Sequence, residues 1–213
     1  MAKSIIINNK LCFIHVPKTA GSFVIRALQQ KCNTTTIGSS HDGSETVSRL
    51  TTLPMFCFVR EPLSWFISWW KYWKSRPTAM IKTKNVYINK PRGEFDKLFS
   101  PAMIRFTNID SFNESLDIYN NEYPGFIYKL FDHYTTKCCY IGKQESMSDN
   151  LIEVLTKYNV INSIIAKDLK NISKVKVNTS HNYNINIDKK LKRKFLEIES
   201  DTYNKYGYTK EII

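Results

Sequence analysis

Two cations, each followed at short range by a hydroxyl, stand where an apolar run of the chain breaks off. Lys18 and Ser22 follow Phe13-Ile-His-Val-Pro17, and Arg60 and Ser68 follow Phe56-Cys-Phe-Val59. A lysine is a mobile point charge, an arginine a planar fork of donors, and a serine adds one O–H. Between Lys18 and Ser22 lie Thr19, Ala20 and Gly21, small residues that let backbone amides approach an anion closely. A helix starting there would open with unpaired amides and a dipole that favours negative charge. The chemistry in reach is the holding of phosphate- or sulfate-like groups. Arg-x7-Ser alone is a weak signal, and Pro-Lys-Thr-Ala-Gly has a simple tight loop as its alternative, against which stand the strand-like run and the apolar helix that flank it. Two such turns at one edge of a parallel sheet would suit a ligand with two separate anionic groups.

Those turns need strands behind them and helices ahead. Residues 11–16 are a short, nearly continuous apolar run, as expected of a central parallel strand. Phe23, Val24, Ala27 and Leu28 then mark a helix with an apolar face. Residues 33–46, rich in Thr, Ser and Gly and containing His41-Asp42-Gly43, read as an exposed loop, with a short helix over 44–52. Met55–Val59 reads as the second strand, and Pro62 suits the first position of a helix running through Trp65, Phe66, Trp69, Trp70 and Trp73. That aromatic spacing favours packing over a sugar-stacking platform. Between 75 and 108 the pattern weakens at Pro77, Pro91, Gly93 and Pro101. Ser111 and Glu114 have capping-box spacing. Cys138–Ile141 reads as a strand before a helix over 148–158, and Asp188 as the cap of a helix carrying Leu191, Phe195, Ile198 and Thr202. Alternating strands and helices predict a single α/β domain over 1–213, a central parallel sheet flanked by helices.

Composition narrows the partners. The chain has 213 residues, 42% of them hydrophobic, enough for a sizeable core. Five cysteines with no CxxC pair indicate neither a disulfide framework nor a zinc site, and no metal is expected. The opening residues do not read as a signal peptide, and the aromatic run at 65–73 is too short to span a membrane, so a soluble, cytoplasmic or otherwise intracellular protein is expected. A net charge of +12 attracts polyanions. The lysines are scattered, however, without a nucleic-acid-binding motif, so no stable nucleic-acid partner is expected.

With these residues in view, the pair FIHVPKTAGS and FVREPLSWFIS resembles the two cofactor-binding motifs of sulfotransferases that use 3'-phosphoadenosine 5'-phosphosulfate (PAPS). The likeness is to the carbohydrate-type and related prokaryotic or viral branch. It implies a P-loop-like sulfotransferase fold. It also implies a 5'-phosphosulfate site at Lys18, Thr19, Ala20, Gly21, Ser22 and the amide of Phe23, with a 3'-phosphate site at Arg60 and Ser68. Many relatives carry a hydroxyl where this chain has Phe23. Weaker echoes are Tyr-Ile-Gly-Lys-Gln-Glu at 140–145, Val-Asn-Thr-Ser at 177–180 and the stretch from Asp201 to Tyr208.

The reaction so implied is in-line sulfuryl transfer to a hydroxyl acceptor, in motif style a glycan, releasing adenosine 3',5'-bisphosphate. Lys18 would stabilise charge on the bridging oxygen. His41 leads for general base and Glu145 remains open, while His15 reads as a buried structural histidine. Two other readings stay open. A P-loop-like nucleotide kinase or triphosphatase lacks its GxxxxGK[ST] spacing here. A non-catalytic module binding nucleotide or anionic glycan would keep the fold without the transfer.

Overall fold

The structure, a computed structural model, describes residues 3–75, 94–107, 109–172 and 183–210. Its first element is a hairpin. Ser4 and three successive isoleucines give a strand, β1 (Lys3–Ile7), and Asn8 and Asn9 turn the chain with φ of 48° and 53°. Asparagine tolerates the left-handed region at two consecutive turn positions, as the tight hairpin turns require. The chain returns as β2 (Leu11–Phe13), antiparallel to β1 with Ile5 opposite Phe13.

α1 (Gly21–Lys31), β3 (Thr34–Ser40), α2 (Ser44–Ser48), β4 (Met55–Val59) and α3 (Pro62–Lys74) follow. Then come α4 (Glu94–Thr107), α5 (Phe112–Glu122), α6 (Phe126–Thr135), β5 (Tyr140–Lys143), α7 (Met147–Lys157), α8 (Ser163–Ile172), α9 (Lys189–Ile198) and α10 (Ser200–Lys205). Strand order across the sheet is β3-β1-β2-β4-β5. β2, β4 and β5 run parallel, while β1 pairs antiparallel with both β2 and β3.

The architecture is therefore α/β with a mixed sheet flanked by helices, and the expected all-parallel sheet is corrected on its β1–β3 side. Residues 34–40, expected as loop, form an edge strand. Their β-branched threonines suit an edge position whose outer face stays wet. Residues 94–107 form a helix that continues through Pro101, one of the positions at which the sequence pattern weakens. Thr202 belongs to α10 rather than to the helix capped by Asp188, which ends at Ile198. No helix among the described residues is long and apolar enough to cross a membrane.

The chain divides into two compact units. The first comprises 1–60 and 131–178, and the second 61–130 and 179–213. In the first, Ile5, Ile7, Phe13, Phe56 and Phe58 of the sheet pack with Val24 and Leu28 of α1 and Leu151, Val154 and Leu155 of α7. The Phe13 and Phe56 rings lie 5.2 Å apart, locking the parallel neighbours.

The second unit is helical and aromatic. Trp65, Phe66, Trp69 and Trp70 of α3 are buried, and Phe66 meets Tyr119 at 4.9 Å. The stripe therefore serves packing. Glu199 lies wholly buried there, accepting from the hydroxyls of Tyr119 and Thr202. Burial raises its carboxyl above the ordinary range, against those hydrogen bonds.

Candidate functional site

Parallel pairing of β2 with β4 sets two chain exits side by side in the first unit. Cys12 faces Met55, Phe13 faces Phe56, and the amide of Ile14 donates to the Phe56 carbonyl at 2.8 Å. Beyond β2 the buried residues Ile14 to Val16 lead into the turn that opens α1. Lys18 and Ala20 both sit in the left-handed region, with φ of 65° and 59°. Neither is a glycine, and each such residue stores about 1–3 kcal/mol of backbone strain of the kind concentrated at ligand clamps.

Thr19 is fully buried and its hydroxyl donates to the Val16 carbonyl at 3.0 Å. Its side chain thus ties the loop to itself rather than facing a ligand. The Ala20 carbonyl accepts from the amides of Phe23 at 2.9 Å and Val24 at 3.3 Å. The Phe23 amide is thus engaged within the helix, and its ring packs against the core. No side chain caps α1, which leaves the Gly21 and Ser22 amides at its head for an incoming anion.

Arg60, at the exit of β4, donates from Nη1 to the Lys18 carbonyl at 3.4 Å. Two residues separated by 42 positions are thereby joined. The second turn differs from the first. Glu61, passed over in the sequence, caps α3, its two carboxylate oxygens accepting from the amides of Leu63 at 3.1 Å and Ser64 at 2.6 Å. It also accepts from the Tyr203 hydroxyl. The first amides of α3 already hold an anion, the chain's own, so any phosphate at this turn is left to side chains. Ser68 is half-buried on α3, in the second unit.

Two histidines, His15 and His41, lie near the first loop, and a third, His133, packs against the loop that carries His41. His15 lies just past β2, buried, and a Cβ on Gly21 would stand 2.0 Å from its Cδ2. Its Nδ1 has no hydrogen-bond partner among the described residues. Burial, then the neighbouring His41 and Lys18, push its pKa down from 6.5 to about 3, so the ring is neutral. The His41 ring lies 6.1 Å from that of His15, placing His41 one ring away from Gly21.

His41 itself has a φ of 66° and its carbonyl accepts from the Tyr134 hydroxyl at 3.4 Å. His133 crowds the same loop: a Cβ on Gly43 would meet its Nε2 at 2.4 Å. Ser44 Oγ donates to the His133 carbonyl at 3.4 Å and accepts from the Lys137 amide at 3.2 Å. These contacts fix the loop that carries His41. Asp42, next in the chain, turns a carboxylate oxygen to the Ser39 amide at 2.6 Å. The roles of Glu61 as a cap and His133 as a packing partner left no spacing signal, whereas His15 is buried as its place in the apolar run implies.

Glu145 is exposed in a short turn, Gln144–Ser146, after β5. The Val-Asn-Thr-Ser stretch at 177–180 lies outside the described residues. Among the described residues, no group of three or more His, Cys, Asp or Glu side chains is arranged to hold a metal ion. Comparisons with protein-family models, curated proteins and solved structures each give no match to this chain.

Proposed function

We propose that this chain is a sulfotransferase of P-loop-like fold, moving the sulfuryl group of PAPS to a hydroxyl acceptor, a carbohydrate by the style of its motifs. The observation that carries the reading is the Arg60–Lys18 contact, which joins the exits of two parallel neighbours. The donor set at the first exit fits the phosphosulfate end: a lysine, a serine and two leading amides at an uncapped helix start. When bound, the cofactor supplies a sulfuryl group on a phosphate leaving group, open to in-line displacement by an acceptor oxygen.

The chain's own residues have distinct tasks. The Gly21 and Ser22 amides and the Ser22 hydroxyl hold anionic oxygens, and Lys18 stabilises the charge that builds on the leaving oxygen. Arg60 offers a forked set of donors to a second phosphate. His41 takes the acceptor's proton. The neutral ring of His15 beside it adds no competing positive charge. The protein's contribution is thus positioning and electrostatics, the demands also met in phosphoryl transfer.

Calorimetric titration with adenosine 3',5'-bisphosphate, and separately with magnesium and ATP, tests the reading on wild type and Arg60→Ala. Micromolar bisphosphate binding that is lost in the variant, with ATP weak, is expected, followed by sulfate transfer from PAPS in an acceptor screen. Tight magnesium–ATP binding with no bisphosphate binding would replace it with a kinase reading. Bisphosphate binding without transfer to any acceptor would leave a binding module.

A further inference from the structure

A second feature of the first unit does not depend on the strand exits. A pocket of about 440 Å³ opens where α1 crosses β1 and β3, a size typical of small-molecule sites. Ser22, Ile25, Arg26 and Gln29 enter it from α1, at spacings that form one helical stripe. Lys3 and Ile5 enter from β1, and Thr36 from β3, where it pairs with Ile5. The floor is apolar: Ile5 is buried and Ile25 half-buried. The rim is polar and carries two cations with no lining carboxylate.

The rim side chains are also unengaged. Lys3, Ser22, Arg26, Gln29 and Thr36 make no side-chain hydrogen bond or ion pair with another described residue. The contrast on the same helix is Lys31, which pairs with Asp168 at 2.7 Å. A solvated helix face needs no partner, but here five donors of four chemical kinds converge from three elements over one apolar floor.

We propose that this pocket binds a sugar carrying a sulfate or phosphate ester. The ester lies between Lys3 and Arg26, where the guanidinium offers two parallel donors. Gln29 and Thr36 meet sugar hydroxyls, and the Ile5–Ile25 floor receives the apolar face of the ring. The site stands whether or not the neighbouring strand exits transfer sulfate.

The test is titration of the full chain with glucose 6-sulfate, glucose 6-phosphate, inorganic sulfate and glucose at physiological salt. Wild type is expected to bind at least one sugar ester at least tenfold more tightly than inorganic sulfate or glucose. Lys3→Gln and Arg26→Gln should each weaken that binding tenfold or more, with unchanged melting temperatures. Arg49→Gln, which removes an exposed charge on another helix, should leave it intact. All of these variants should keep the adenosine 3',5'-bisphosphate affinity of wild type, so this site and the proposed cofactor site succeed or fail separately. Equal loss in Arg49→Gln would reduce the effect to diffuse attraction by the +12 charge and overturn the proposal. So would inorganic sulfate binding as tightly as the esters, displacement of the ester by the bisphosphate, or no ester binding at all.

Discussion

The ring of His15 occupies the space that any side chain at position 21 would need: a Cβ on Gly21 would stand 2.0 Å from Cδ2 and 2.7 Å from Nε2 of His15. Glycine is therefore required there by a neighbour rather than by backbone conformation. Gly21→Ala is expected to cost about 1–3 kcal/mol, as overpacking does. His15→Ala in the same chain should recover much of that loss. Denaturant melts of both single variants and the double variant would show a coupling of about 1 kcal/mol or more, and strict additivity would refute the contact.

His15 also gives stability a pH dependence of known sign. Unfolded, it takes up a proton as pH drops through 6.5, while the buried ring resists protonation until about pH 3. The unfolded chain thus binds the extra proton between those values, and stability must fall as pH falls through that window. The slope from this one residue approaches about 1.4 kcal/mol per pH unit. Wild type compared with His15→Gln by urea melts at pH 7 and pH 5 should lose more stability on acidification, and parallel losses would count against a neutral buried ring.

Lys18 pairs strain with function. Its φ of 65° penalises a side chain, so Lys18→Gly should raise the melting temperature, the released strain being about 1 kcal/mol. Lys18→Ala should not, since it keeps the Cβ. Under the proposed reaction both variants lose sulfate transfer by two or more orders of magnitude. Activity surviving in Lys18→Gly would remove the lysine from the mechanism.

Glu61 is a cap rather than a ligand. Replacing it by Ala strips acceptors from the amides of Leu63 and Ser64 and from the Tyr203 hydroxyl, at a cost of about 2 kcal/mol. Tyr203→Phe should cost less, because it removes one donor and leaves the cap in place. Thermal melts of the two variants give the ranking, and a larger loss in Tyr203→Phe would contradict it.

The elements that flank the site were legible because their signals are local. Met55–Val59 forms a strand with the expected bounds, Pro62 starts α3, and Ser111 and Asp188 cap helices as their spacing implies. What escaped depends on partners distant in sequence. The polar run Thr34–Ser40 alternates too little to declare a strand, yet beside β1 its backbone finds a ladder whose register shifts once, between Lys3 and Ser4. Ile5 to Ile7 was a strand signal left unused, and with it went the antiparallel half of the sheet. At the site, Lys18 and Arg60 are legible from motif chemistry, whereas the bond from the Arg60 guanidinium to the Lys18 carbonyl depends on the fold. The His15–His41–His133 grouping had no sequence signature, since each ring is brought in by a different element.

Asn8 and Asn9 carry a consequence for the order of assembly. With Lys10 they close β1 on β2 within three residues, and hairpins of this kind form in about 1–10 μs. The parallel pairings must instead bring Phe13 to Phe56 and Phe56 to Tyr140, and such long closures are slow. The edge that carries Lys18 and Arg60 is thus the late-forming part of the sheet, while the hairpin behind it is ready early. Substituting Gly for Asn9 should then quicken refolding more than it slows unfolding, and every gain in rate would be made before the anion-binding edge exists.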